Sequence, residues 1–122
     1  MIGYVTLGTR DKDRALAFYD ALLAELGAKQ MFNNERLYFY GTEMGKPMIA
    51  VGGPYDEQAA THGNGTMLAL PMESREQVES IYAKALELGG ADEGAPGDRG
   101  NGFYGAYFRD LDGNKFCLYK FG

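Results

Sequence analysis

His62 is the one histidine of this chain and Cys117 its one cysteine, so the side chains that most often do chemistry near neutral pH are scarce. His62 lies in a polar stretch between Thr61 and Gly63. A lone imidazole there reads as an exposed loop residue unless the stretch folds over a ligand. Cys117 sits in an apolar and aromatic run, with Lys115 two positions away as its nearest cation. A nucleophilic thiol needs a depressed pKa, and nothing adjacent supplies one; a small buried thiol is expected. No Ser–His–Asp arrangement can be argued from one loop histidine. Residues 94–102, Gly-Ala-Pro-Gly-Asp-Arg-Gly-Asn-Gly, lack the strand–helix context and spacing of a phosphate loop. They read as a plain flexible connection, with a mobile flap over a cleft, Arg99 then able to meet an anionic group, as the alternative. The richest signal is aromatic: Tyr38, Phe39, Tyr40, Phe103, Tyr104, Tyr107 and Phe108 fall on strand-like runs. Some of these must face a core and others a ligand surface.

The elements that carry these residues follow from periodicity and punctuation. Residues 2–7 alternate like a strand. Asp11 or Asp13 can cap a helix whose apolar positions are Ala15, Leu16, Phe18, Tyr19, Leu22, Leu23 and Leu26, with Gly27 as its stop. Short strands are predicted at 29–32, 36–41 and 47–51, followed by a polar connector over 52–64. The pattern then starts again. Residues 65–70 read as a strand. Ser74-Arg-Glu-Gln77 is a capping-box pattern, and Val78, Ile81, Tyr82, Ala85, Leu86 and Leu88 mark a helical face. A short strand at 91–93 and the 94–102 loop lead to a hairpin, 103–109 and 115–121, turned by Leu111-Asp-Gly-Asn114.

The chain therefore contains one βαβββ unit twice, over about 1–53 and 64–122. With 122 residues, it is expected to form a single domain of class α+β. The two repeats are expected to make a curved mixed sheet with the helices on its outer face. Net charge is −5 and no basic cluster occurs, which argues against a nucleic-acid partner. No apolar run approaches a membrane span, and the start of the chain has no leader pattern. A cytoplasmic protein is expected, and the Asn64-Gly65-Thr66 sequon then reads as chance. The acidic balance favours a neutral or cationic ligand.

The duplication, Phe18-Tyr19 in the first helix and the closing Arg109-Asp-Leu-Asp-Gly-Asn-Lys-Phe116 together resemble the vicinal oxygen chelate superfamily of glyoxalases, bleomycin-resistance proteins and extradiol dioxygenases. The resemblance spans nearly the whole chain; Leu111 stands where the family usually has Pro. It implies a ligand cleft between the repeats and commonly a homodimer. Metal-dependent members place ligands on the first and last strands of each unit. Carried over, those places fall on Tyr4 and Ile49 in the first repeat and on Met67 and Cys117 in the second. A phenol, an alkyl chain, a thioether and a thiol do not make the imidazole and carboxylate set that a divalent ion of this kind needs.

The expected function is metal-independent binding of a small organic molecule, aromatic and neutral or cationic. The expected ligand-binding residues are Tyr4, Met67, Cys117, Ile49 and Tyr107, with no cofactor and no metal. Two alternatives stand beside it. One is a lyase, isomerase or dioxygenase, using Glu43 or His62 as unusual metal ligands, or Tyr4 or Cys117 without metal. The other is a structural or interaction protein whose cleft is filled by Tyr4, Met67 and Ile49.

Overall fold

Asp11 fixes where the first helix begins. In the computed structural model, which describes residues 1–122, its side chain accepts from the Arg14 N–H at 3.1 Å, and its own N–H donates to Thr9 Oγ1 at 3.0 Å. This is N-capping: an orphan helix donor finds a side-chain acceptor. Helix α1 then runs Lys12–Ala24. It stops where Gly27 takes φ +75° and Ala28 N–H closes on the Leu23 carbonyl at 3.0 Å. Its buried stripe is Ala15, Phe18, Tyr19, Leu22 and Leu23.

This helix covers one face of a four-stranded mixed sheet in the order β1-β4-β3-β2. The strands are β1 Tyr4–Gly8, β2 Lys29–Asn33, β3 Leu37–Gly41 and β4 Met48–Gly52. Strands β1 and β4 pair in parallel; the other pairs are antiparallel. Tyr40 ties helix to sheet. Its hydroxyl donates to Asp20 Oδ1 at 2.7 Å, and its ring lies 6.2 Å from that of Tyr19. Burial, and then the Asp20 carboxylate, push the Tyr40 phenol well above the usual tyrosine range. Gly52 pairs with Leu37 at a point where a Cβ would overlap the Arg36 carbonyl oxygen. Only glycine allows β3 and β4 to approach there.

The chain divides into two compact units, Met1–His62 and Gly63–Gly122. The second repeats the plan with β5 Leu68–Pro71, α2 Arg75–Glu87, β6 Ala91–Asp98, β7 Phe103–Arg109 and β8 Lys115–Phe121. Sheet order is β5-β8-β7-β6. Ser74 caps α2 by accepting from Gln77 N–H at 3.0 Å, and Gln77 Oε1 accepts from Glu73 N–H at 2.7 Å. Between α2 and the sheet lie Val78, Ile81, Ala85, Ala106, Phe108, Phe116 and Leu118, all essentially inaccessible. The Phe108 and Phe116 rings stack 5.0 Å apart. Burying each of the larger side chains here, valine, isoleucine, leucine and phenylalanine, contributes about 2 kcal/mol against its loss of freedom.

The observed fold is α+β, built from two βαβββ units. The expected single curved sheet is realised as two four-stranded mixed sheets, each with a helix packed on one face. Neither helix is long and apolar enough to cross a membrane. Two local expectations change. The segment beyond 93, expected as a loop, continues as strand β6 through Asp98, with register shifts at 92–94 and 94–97. Gly94, Pro96 and Gly97 weaken a strand, but an edge strand paired on one side tolerates them. The connector 53–62 is packed as part of the first unit: Arg36 Nη1 donates to the Gly53 carbonyl at 2.9 Å and Arg10 Nε to the Ala60 carbonyl at 2.9 Å.

Candidate functional site

Each sheet has one face under its helix and one face without. Register sorts the side chains between them, because residues paired across strands share a face. In the first unit Tyr4 pairs with Met48 and Thr6 with Ala50, while Ala50 pairs with Phe39 and Phe39 with Phe32. Tyr40, which reaches the helix, pairs with Ile49. The helix-free face therefore carries Tyr4, Thr6, Met48, Ala50, Phe39 and Phe32. Tyr4 meets Phe39 edge-on at 5.0 Å, and Phe32 stacks on Phe39 at 4.6 Å. Phe39 and Ala50 are buried in this cluster with Leu37, and Met48 packs against it. Tyr4 remains 51% exposed and Phe32 43%, so the platform has open aromatic surface.

Ile49 is a correction. It was expected beside Tyr4, but it points to the helix side, paired with Val5 and Tyr40. The match of 45–49 onto 113–117 is one residue out of register, and in a strand a one-residue slip exchanges the faces. Met48 and Ala50 hold the helix-free positions instead.

In the second unit Ala69 pairs with Cys117 and Cys117 with Tyr107. These two, with Lys115, Arg109, Tyr119, Gly105, Phe103 and Phe121, form the helix-free face. Met67 precedes β5 and is 45% exposed. Burial is the main reason both Tyr107 and Cys117 ionise later than usual, while the neighbouring Tyr107 hydroxyl, then Arg99 and Lys115, pull the thiol the other way. Cys117 is 2% exposed. A buried thiol with a raised pKa is a poor nucleophile at neutral pH.

Charge gathers at one end of this face. Arg99 lies 5.5 Å from the Tyr107 ring centroid and Lys115 5.6 Å. Glu93 sits at the β6 irregularity, 3.1 Å from Arg109 and 3.9 Å from Lys115. Aromatic surface gathers at the other end, where Phe103 stacks on Tyr119 at 5.4 Å and meets Phe121 edge-on at 5.2 Å. Sequence reasoning missed this polarity. Its signal was the alternation Lys115-Cys117-Tyr119-Phe121, which puts one cation and two rings on one face.

The places that the resemblance assigns to a metal do not fit one. Tyr4, Met67 and Cys117 supply a phenol, a thioether and a thiol, and Ala50, the counterpart of Cys117 in the first unit, offers no donor. No three His, Cys, Asp or Glu side chains in the chain converge on a point. Glu43 faces Lys46 at 3.7 Å, and His62 is exposed. The Asp110 carboxylate of the closing motif holds its own turn. It accepts from Asp112 N–H at 2.9 Å, Asn114 N–H at 2.8 Å and Asn114 Nδ2 at 2.8 Å.

A separate open hollow of about 900 Å3 lies at the ends of β1 and β4, lined by Arg10, Arg36, Pro54, Tyr55 and Gln58 among others. Both arginines donate to connector carbonyls there, and Arg36 covers the Tyr55 ring at 5.4 Å. The hollow is thus the seat of the connector. His62 does not line it.

No curated protein matches the chain. Among solved structures, a glyoxalase/bleomycin resistance protein from Albidiferax ferrireducens T118 is 36% identical, over 100% of this chain and 99% of that one, with a TM-score of 0.90. The hypothetical protein SA1046 from S. aureus is 27% identical over 98% of this chain and 92% of that one, at a TM-score of 0.76. A glyoxalase/bleomycin resistance protein/dioxygenase family enzyme from Burkholderia phytofirmans PsJN shares the fold at 20% identity and a TM-score of 0.79, over 98% of each chain. The family model described as Glyoxalase/Bleomycin resistance protein/Dioxygenase superfamily matches residues 1–118. With its duplicated βαβββ plan, the chain belongs to that superfamily.

Proposed function

We propose that this protein binds a small aromatic organic molecule on its helix-free sheet faces without a metal ion. The observation that carries this reading is the donor set at the family's metal positions. Tyr4, Met67 and Cys117, with Ala50 as the counterpart of Cys117 in the first unit, lack the imidazole and carboxylate groups that zinc, nickel or iron sites of this kind require. What remains is aromatic and polarizable. Tyr4, Phe32 and Phe39 offer ring faces and edges, Met48 and Met67 adapt in shape, and Tyr hydroxyls can orient a bound group. Covering about 100 Å2 of an aromatic ligand supplies about 2.5 kcal/mol before ordering costs. A homodimer is part of the proposal, on family grounds; a light-scattering mass of one 13.4 kDa chain would remove it.

The test joins metal analysis to ligand screening on one sample. Protein grown with zinc, nickel and iron is expected to carry far less than stoichiometric metal, and a chelator is expected to leave its melting temperature unchanged. A panel of aromatic compounds is expected to raise that temperature, and Phe32→Ala or Tyr4→Ala to weaken the shift. Stoichiometric metal with chelator-sensitive turnover would replace the binder with a metalloenzyme. No shift with any compound would favour a protein that acts through its surface alone.

A further inference from the structure

We propose that the helix-free face of the second unit takes an aromatic carboxylate, with Arg99 as the direct partner of the carboxylate and the Tyr119–Phe103 end as the seat of the ring. This deepens the binder reading and rests on it.

The guanidinium is built into place. Arg99 comes from the turn after β6 and folds back along that strand, where Nη2 donates to the Ala95 carbonyl at 2.7 Å. It lies over two glycines. A Cβ at Gly97 would stand 2.8 Å from Nη1, and one at Gly94 3.3 Å from Nη2. Any larger residue at 97 would push the guanidinium off. Its remaining contact is the Tyr107 ring at 5.5 Å, so Nε and Nη1 keep their donors for a ligand. A planar fork with free N–H groups is suited to a carboxylate.

Local charge supports an anion although the whole chain is acidic. Arg99, Arg109 and Lys115 face a single carboxylate here, Glu93, which is shared by Arg109 and Lys115. The neighbouring Asp98 and Asp92 turn to the helix side, toward Arg75 at 3.6 Å and toward the Tyr82 hydroxyl at 2.8 Å. A local field decides ligand sign more directly than net charge does, so the neutral or cationic preference drawn from the acidic composition gives way. The apolar end fixes the body of the ligand. Lys115, Cys117, Tyr119 and Phe121 alternate along β8 with their partners Arg109, Tyr107, Gly105 and Phe103. Two residues of strand rise about 7 Å, which is about the reach from the carboxylate to the far edge of the second ring of a bicyclic aromatic acid.

The experiment titrates the full chain at low salt with 2-naphthoate, 2-naphthamide and 2-naphthylmethylammonium. Naphthoate is expected to bind about tenfold more tightly than the amide, and the ammonium more weakly still. Arg99→Gln is expected to erase that preference while leaving the amide within about twofold. Gly97→Ala is expected to weaken naphthoate several-fold with little change in melting temperature, because the guanidinium can swing away. If the amide or the ammonium binds as tightly as naphthoate, or Arg99→Gln leaves naphthoate unaffected, the anion assignment is overturned and the binder reading stands. If none of the three binds, the aromatic-carboxylate assignment falls, and the melting-temperature shifts with the wider aromatic panel decide the binder reading.

Discussion

Tyr107 and Cys117 are cross-strand partners, so the phenol and the thiol share the helix-free face of the second unit. Both protons are held more tightly in the folded chain than in an unfolded one, chiefly through burial. The folded state therefore binds more protons than the unfolded state once free thiols begin to ionise, and stability falls as pH rises. Urea unfolding is expected to be insensitive to pH between about 6 and 8, and to lose stability above about pH 8.5, where an unfolded cysteine ionises. Cys117→Ala is expected to flatten the first part of that decline. A thiol reagent at pH 8 is expected to label native protein about 100-fold more slowly than unfolded protein. Rapid native labelling would contradict the buried, protonated thiol.

Asp110 carries the hairpin between β7 and β8. It is 6% exposed and accepts from two backbone N–H groups and the Asn114 amide. Removing the carboxylate leaves those donors without their acceptor. Asp110→Ala is expected to cost about 3 kcal/mol in denaturant unfolding. Asp110→Asn keeps one acceptor oxygen and is expected to cost less. An alanine variant as stable as the parent would show that the turn forms without this clasp.

Met48 and Ile49 are neighbours on opposite faces of β4. Ile49→Ala removes packing beneath α1 and is expected to destabilise by about 2 kcal/mol, with little effect on binding of an aromatic probe. Met48→Ala is expected to do the reverse, weakening the probe more than the fold. Interchanged results would put Ile49 back on the ligand side.

Features governed by neighbours in sequence were legible before the structure. Asp11 and Ser74 mark helix starts because capping is satisfied within three residues, and Gly27 marks a stop for the same reason. The duplication and the aromatic runs followed from spacing. What escaped depended on partners far along the chain. The phase of β4 relative to β1 cannot be seen from either strand alone, which misplaced Ile49. Strand β6 hides behind Gly94, Pro96 and Gly97, since its support comes from pairing with β7. Arg99 was noticed as a cation on a loop, but the glycine bed that aims it exists only once that strand forms. The two arginines that seat the connector, Arg10 and Arg36, bear no local mark at all, since their acceptors lie 50 and 17 positions away.

That seating has a consequence for how the gene can be cut and rejoined. The joint between the halves falls at His62–Gly63, after the strap has been fastened down, so the slack available to any domain graft or permutation is short. New termini opened inside residues 53–60 would tear out the Arg36 and Arg10 anchors. Termini opened at Gly63, a residue with φ +68°, would leave both anchors in the first half.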